Sequence, residues 1–303
     1  MNTVISTEGL RKMYGRVHAL DGLDLSVSAG QVHGFLGPNG AGKSTTIRIL
    51  LGLARSSGGT ARLLDADPWH DAAALHRRIA YVPGDVSVWP NLTGGEAVDL
   101  LVRLRGGDTR TAEYRAERER LSTAFQFDPR TRGRAYSKGN RQKISLIAAF
   151  ALPAELYILD EPTSGLDPLM EIVFQQEVSR VSAAGATVLL SSHILSEVER
   201  LCDHVSIIRA GRIVETGTLA DLRHLTRTEV SFDDDGTVPA GAQDLVREGG
   251  RIRFTMDPAD MPTTLAALAD AKVQGLRVNP PSLEELFLRH YGDAATTRRG
   301  SAA

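Results

Sequence analysis

The sequence predicts an α/β protein built on a parallel, helix-covered sheet, followed by a smaller α/β region of its own. Three observations predict it. The runs Val32–Leu36 and 156–159 are apolar without alternation, as strands buried on both faces are. These runs alternate with segments of helical period. Beyond about Leu225 the chain restarts with an alternating strand and an amphipathic helix that carry their own apolar positions.

Taken in order, 3–7 and 23–27 have β-type patterning, and Gly30 turns the chain into Val32–Leu36. A glycine-rich loop follows, then a helical pattern from 43 to about 53. Gly58-Gly59 reads as a turn, and 77–83 ends another strand. From 91 to about 127 the pattern is helical, with Ala97, Val98, Leu101 and Leu104 at helix spacing. Next come a buried-type helix over 141–152, the strand 156–159, a helix over Pro168–Ala183 and a strand over 187–190. Two short strands, His204–Arg209 and 212–215, flank Ala210-Gly211. In the last region Phe232 to Gly236 reads as an acidic turn, Arg251–Met256 as a half-exposed strand and 261–271 as an amphipathic helix. The expected division is one domain over 1–224, a small α/β domain over 225–292 and a disordered tail over 293–303. No internal repeat is present, which implies a single copy of the main module.

Composition narrows the function classes. The chain has 303 residues, 42% hydrophobic and 24% charged, in the range of globular proteins. Its formal net charge of -2 gives no global field to recruit a polyanion, so no nucleic-acid partner is expected. Arg103 to Arg120 is arginine-rich, but interleaved acids make it read as a solvated helix face. The amino-terminal residues lack a signal-peptide pattern, and no stretch is long and apolar enough to span a bilayer. The single Cys202 fits a reducing compartment. The expectation is a cytoplasmic protein, with attachment to a membrane through a partner left open.

Gly37-Pro38-Asn39-Gly40-Ala41-Gly42-Lys43-Ser44 matches the phosphate-loop pattern GxxxxGK[ST], between a predicted strand and a predicted helix. Glycines let successive backbone N–H groups turn inward around a polyphosphate, and the helix presents its positive end to the same anion. Lys43 supplies a point charge for the β and γ phosphates, and the Ser44 hydroxyl can ligate Mg²⁺. A second pattern supports the first. Leu156-Tyr157-Ile158-Leu159-Asp160-Glu161 is an apolar strand ending in two acids. Asp160 is placed to hold Mg²⁺ or its water shell, and Glu161 to face the γ-phosphate and polarise an attacking water. ATP and Mg²⁺ are therefore the expected ligands.

With these motifs in order, about the first 220 residues resemble the ABC-transporter ATPases. The most specific element is Tyr136-Ser137-Lys138-Gly139-Asn140-Arg141-Gln142-Lys143, similar to the family's LSGGQ signature in the form YSKGN. The resemblance implies a phosphate-loop NTPase of ABC type. It would have an antiparallel β subdomain, a helical subdomain at about 86–140 and the small C-terminal α/β domain. It implies that Thr45 joins the phosphate loop and that Tyr14 stacks on adenine. It further implies that Ser137, Lys138, Gly139 and Asn140 bind ATP held by a second copy. Ser164-Gly165-Leu166-Asp167 resembles the loop linking the two sites across the dimer, and His193 resembles the switch histidine at the γ-phosphate. One position departs: after Tyr81-Val82-Pro83 the family usually has Gln, and here stands Gly84, followed by Asp85. Asp85 either takes over the metal contact or this loop makes none.

Pro281 to Leu288 resembles the closing helix of ATPases of the daunorubicin-resistance exporter type, and equally reads as a Ser-capped amphipathic helix. The resemblance implies an ATPase powering a multidrug or antibiotic exporter by closure of a head-to-tail homodimer. It would sit on the cytoplasmic face of the membrane through a separately encoded permease, docked by 91–127. The rivals are an ABC ATPase acting on nucleic acid or the ribosome, and a regulatory module that binds nucleotide without turnover. The transported substrate is not legible.

Overall fold

The computed structural model describes residues 2–224 and 228–279. The calls on 281–288 and 293–303 lie outside them. The chain divides into two compact units between Thr216 and Gly217, upstream of the boundary expected at 224/225.

In the first unit, β1 (Thr3–Tyr14) and β2 (Val17–Ser28) form a long hairpin. β3 (Val32–Leu36) is buried at every position and leads into α1 (Lys43–Leu50). β4 (Gly58–Leu63) returns to pair with β1, closing a three-stranded antiparallel sheet in the order β2-β1-β4. Gly58-Gly59 therefore opens a strand and is not the expected turn. The glycines answer a close approach: a Cβ on Gly59 would lie 2.3 Å from the carbonyl oxygen of Gly9, beside a β1 bulge between Glu8 and Arg11.

Then follow α2 (Ala72–Arg78), β5 (Ile79–Val82), α3 (Gly94–Leu104) and α4 (Ala112–Ala124). The expected helical stretch 91–127 is thus two helices. Thr93 and Glu96 cap α3 reciprocally, Gly106 leaves it at φ +90, and Thr111 restarts the helix by capping α4. Of the positions so spaced, Ala97 and Val98 are buried, Leu101 is half-buried and Leu104 exposed, and the spacing is blind to a break at Gly106-Gly107.

α5 (Lys138–Phe150), β6 (Leu156–Asp160), α6 (Pro168–Ala183), β7 (Thr187–Ser192), α7 (Leu195–Leu201), β8 (His204–Arg209) and β9 (Arg212–Thr218) complete the second sheet. Its order is β5-β6-β7-β3-β8-β9, with β5, β6, β7, β3 and β8 mutually parallel. Ala210 and Gly211, both at positive φ, turn β8 into β9. α1 packs between the two sheets, against β2 and β4 on one side and β6 on the other. The core gathers there, with Ile5, Leu23, Phe35, Ile47, Leu50, Ile158 and Leu189 essentially inaccessible. Each such side chain contributes roughly 1.5–3 kcal/mol relative to exposure.

The second unit contains α8 (Leu219–His224), β10 (Thr228–Asp233), β11 (Gln243–Glu248), β12 (Arg251–Met256), α9 (Met261–Asp270) and β13 (Arg277–Asn279). Its sheet runs β11-β12-β10-β13, all antiparallel. Phe232 and Asp233 end β10, so the acidic turn begins two residues later than expected, at Asp234. Phe232 is fully buried against Phe254, edge to face at 6.1 Å.

Candidate nucleotide site

Parallel pairing brings the carboxyl ends of β5, β6, β7 and β3 to one edge of the sheet. From that edge emerge Gly84 after β5, Glu161 after β6, His193 after β7 and the loop 37–42 after β3. Open α/β sheets bind ligands at this edge.

The loop's shape depends on its glycines. A Cβ on Gly37 would meet the Ile208 carbonyl oxygen at 2.5 Å, and Gly42 sits at φ 118 against Leu20 and Ala19. Gly40 is left-handed at φ 82 and open. Gly42 also stands at the N-cap of α1 with no side chain to cap it, and the first turn holds no acid. The first backbone N–H groups of α1 therefore remain available to an anion. Lys43, 5% exposed, folds back onto the loop, its Nζ donating to the carbonyls of Gly37 and Pro38. Burial lowers its pKa, opposed by the charges of Glu161 and Asp160. A bound anion would offset that desolvation through its charge, as the two carboxylates do. Ser44 is exposed, Thr45 half-buried, and Thr46 turns inward to bond the Gly42 carbonyl.

Asp160 is 6% exposed, accepts a 2.8 Å bond from Ser191 Oγ and is also bonded by Ser44. Burial raises its pKa against those two donors. Glu161 follows in the left-handed region at φ 47, uncommon for a residue with a Cβ. This backbone sends its carboxylate back over the phosphate loop, with Oε1 3.9 Å from Lys43 Nζ and 3.2 Å from His193 Nδ1. Behind His193, Ser192 Oγ donates to the buried Glu197 carboxylate at 2.6 Å.

Other expected residues lie around this centre. Tyr14 is exposed at the end of β1 with Lys12 Nζ 4.8 Å over its ring, so it is a surface aromatic and not a core one. Asp85 is exposed. A Cβ at Gly84 would come within 3.1 Å of the Asp160 carbonyl oxygen, so the strand ends are closely apposed. Ser137 caps α5 by accepting from Asn140 N, and Lys138 Nζ donates to Ser164 Oγ at 2.8 Å. Gly139 packs on the Gly165 carbonyl oxygen, 2.3 Å from where its Cβ would be. Asp167 caps α6, accepting from Leu169 N and Met170 N.

Sequence reasoning gave no role to Ser191, Gln142 or Glu197. Ser191 stands opposite Asp160 in the ladder, a cross-strand relation that no local pattern reveals.

Residues 20–164 match the family described as ABC transporter. The chain is 36% identical to the daunorubicin/doxorubicin resistance ATP-binding protein DrrA of Streptomyces peucetius, covering 98% of this chain and 96% of that one. It is 33% identical to the bacitracin transport ATP-binding protein BcrA of Enterococcus faecalis over 79% of this chain and 78% of the relative. A solved structure described as the ATP-binding subunit of an ABC transporter superposes with a TM-score of 0.69 at 32% identity, covering 74% of this chain and 93% of that one.

Proposed function

This chain belongs to the ABC transporter family and is one of its ATPases; from that premise we propose that it powers a drug or antibiotic exporter by ATP-driven closure of two copies. The observation that carries the reading is the meeting of Lys43, Asp160, Glu161 and His193 at one sheet edge beside an uncapped helix start. The backbone of 37–42 and the amides of α1 hold the phosphates, and Lys43 exchanges its loop carbonyls for phosphate oxygens. Tyr14 offers its exposed ring to the adenine. Ser44 and Asp160, already hydrogen-bonded to each other, form a hard oxygen pair that fits Mg²⁺. The metal, when bound, neutralises charge on the phosphate oxygens. Glu161 orients and polarises the attacking water, and His193 steadies the Glu161 carboxylate beside the γ-phosphate.

Lys138 and Gly139 stand beside Ser164-Gly165, in the loop that Glu161 begins. That position suits a signature that serves ATP held by a second, two-fold related copy. ATP then favours closure because it gains contacts only in the closed pair. The names of the relatives, which concern daunorubicin, doxorubicin and bacitracin, support the exporter class.

A permease partner is supported by an apolar groove of about 350 Å³ lined by Tyr81, Val86, Trp89, Leu101 and Leu104, beside Gly84-Asp85. Among the described residues no helix is long and apolar enough to cross a membrane, so the subunit would reach the cytoplasmic membrane face through that groove. Glu161→Gln tests the catalytic role: single-turnover hydrolysis should fall about 10²–10⁴-fold while ATP affinity stays within a few-fold. The same variant with ATP should sediment as a dimer. A normal single-turnover rate removes Glu161 from catalysis, and a monomer under saturating ATP removes the paired mechanism. Co-purification with a separately encoded membrane protein decides the permease.

A further inference from the structure

The ladder between β5 and β6 ends at Val82 and Leu159. Each strand soon reaches a proline, Pro83 on one and Pro162 on the other, and proline has no N–H to extend a ladder. Their two carbonyls are satisfied from a third element. Gln142, 1% exposed on α5, directs its side-chain Nε2 at both, 3.0 Å from the Pro162 oxygen and 3.3 Å from the Pro83 oxygen. The amide has two hydrogens, so one group can donate to both.

Pro162 follows Glu161, whose backbone is held left-handed at φ 47. A residue with a Cβ persists there only when its surroundings enforce it. Two tethers flank that conformation. Glu161 N donates to the Ser191 carbonyl at 2.9 Å on one side, and the Pro162 carbonyl is held by Gln142 on the other. α5 itself starts at Lys138, capped by Ser137, so the carboxamide rides on the helix whose first turn is the signature.

We propose that Gln142 is a positioning residue that makes the placement of the Glu161 carboxylate depend on where the signature helix α5 lies. A shift of α5 moves the carboxamide, the carboxamide moves the Pro162 carbonyl, and the adjoining Glu161 swings relative to Lys43 and His193. A contact at Ser137 or Gly139 is thereby felt at this chain's own hydrolytic carboxylate. The same amide links that helix to Pro83 and hence to the Gly84-Asp85 loop. The proposal rests on the catalytic reading of Glu161 given above.

The test compares Gln142→Met, which keeps length and loses the donor, with Gln142→Asn, whose shorter amide reaches at most one carbonyl. Expected are a kcat lowered roughly 10- to 100-fold in the Met variant and by less in the Asn variant, since small misplacement of a catalytic group has effects of that size. The ATP Kd should stay within about twofold, because no phosphate-loop residue is touched. In a Glu161→Gln background, Gln142→Met should lower the residual rate no further, because the two changes act on one group. The proposal is overturned if folded Gln142→Met keeps kcat within twofold of the parent. It is equally overturned if Kd weakens in step with kcat, or if the loss repeats undiminished in the Glu161→Gln background. Should Gln142→Met not fold, the Asn variant carries the same comparison. A Glu161→Gln single variant that retains full turnover would instead refute the catalytic reading on which this one stands.

Discussion

His33 illustrates how a single residue acquires a solution property from its place. It points into the sheet from β3 at 2% exposure, with Nε2 2.9 Å from Ser206 Oγ and its ring stacked 6.5 Å from His204. Burial first, and the neighbouring His204 second, push its pKa down to about 4 from 6.5. The folded state holds this imidazole neutral, whereas the unfolded chain protonates it near 6.5. Its contribution is therefore fully present above pH 6.5, declines as pH falls, and is exhausted below about 4, for a total near 3 kcal/mol. Urea midpoints at pH 7.5 and pH 5 should show a smaller acid loss in His33→Leu than in the parent; equal losses would remove His33 as a cause. Lys43 gives the second prediction at this scale. Removing its ammonium in Lys43→Ala should weaken ATP by about 3 kcal/mol or more, so that calorimetry detects no binding at micromolar concentrations.

At the scale of elements, the arginine-rich stretch behaves differently from the solvated face its composition suggested. Glu177 on α6, 4% exposed, receives Arg120 of α4 through two bonds of 2.7 and 2.8 Å and Arg180 of its own helix at 2.8 Å. Glu117 of α4 completes the quartet with Arg180 at 2.8 Å. Burial alone would raise the Glu177 carboxyl, yet the two guanidiniums bring it below its usual value. Helical period marks which residues share a face but not which helix that face meets, so interleaved charges looked merely solvated. Glu177→Ala leaves Arg120 and Arg180 to share Glu117 alone and should cost about 2 kcal/mol, below the range for a wholly buried pair because Arg120 is 42% exposed and both cations keep a partner. A denaturation midpoint unchanged within error would show the quartet to be ornamental to stability.

For the molecule as a whole, each unit has a core of its own. That of the second is Val230, Phe232, Ile252, Phe254, Met256 and Leu268, all inaccessible. Phe254→Ala should lower the stability of that unit by about 3–5 kcal/mol, seen as an earlier loss of amide-exchange protection across β10 and β12. Protection unchanged in those strands would mean that the cluster is not what holds the unit. The sequence restarts its apolar patterning near 225, whereas contacts divide the chain at Thr216/Gly217. Patterning changes where a new element begins; contacts divide the chain where packing partners change.

The residues alone determined the glycine loop between β3 and α1, the acid pair at the end of β6, the parallel sheet and several elements to their final residue, among them Val32–Leu36, Pro168–Ala183, His204–Arg209 and Arg251–Met256. These are local matters: a strand's period, a helix's caps, a glycine whose φ no other residue adopts readily. Tertiary structure alone decided that Ser191 bonds Asp160, that Gln142 spans two proline carbonyls and that Glu161 reaches His193. It also decided that Gly59 serves a close strand approach. Each of these joins elements far apart in the chain, and the distances across a parallel sheet follow from its register and strand order, which one strand's sequence does not contain.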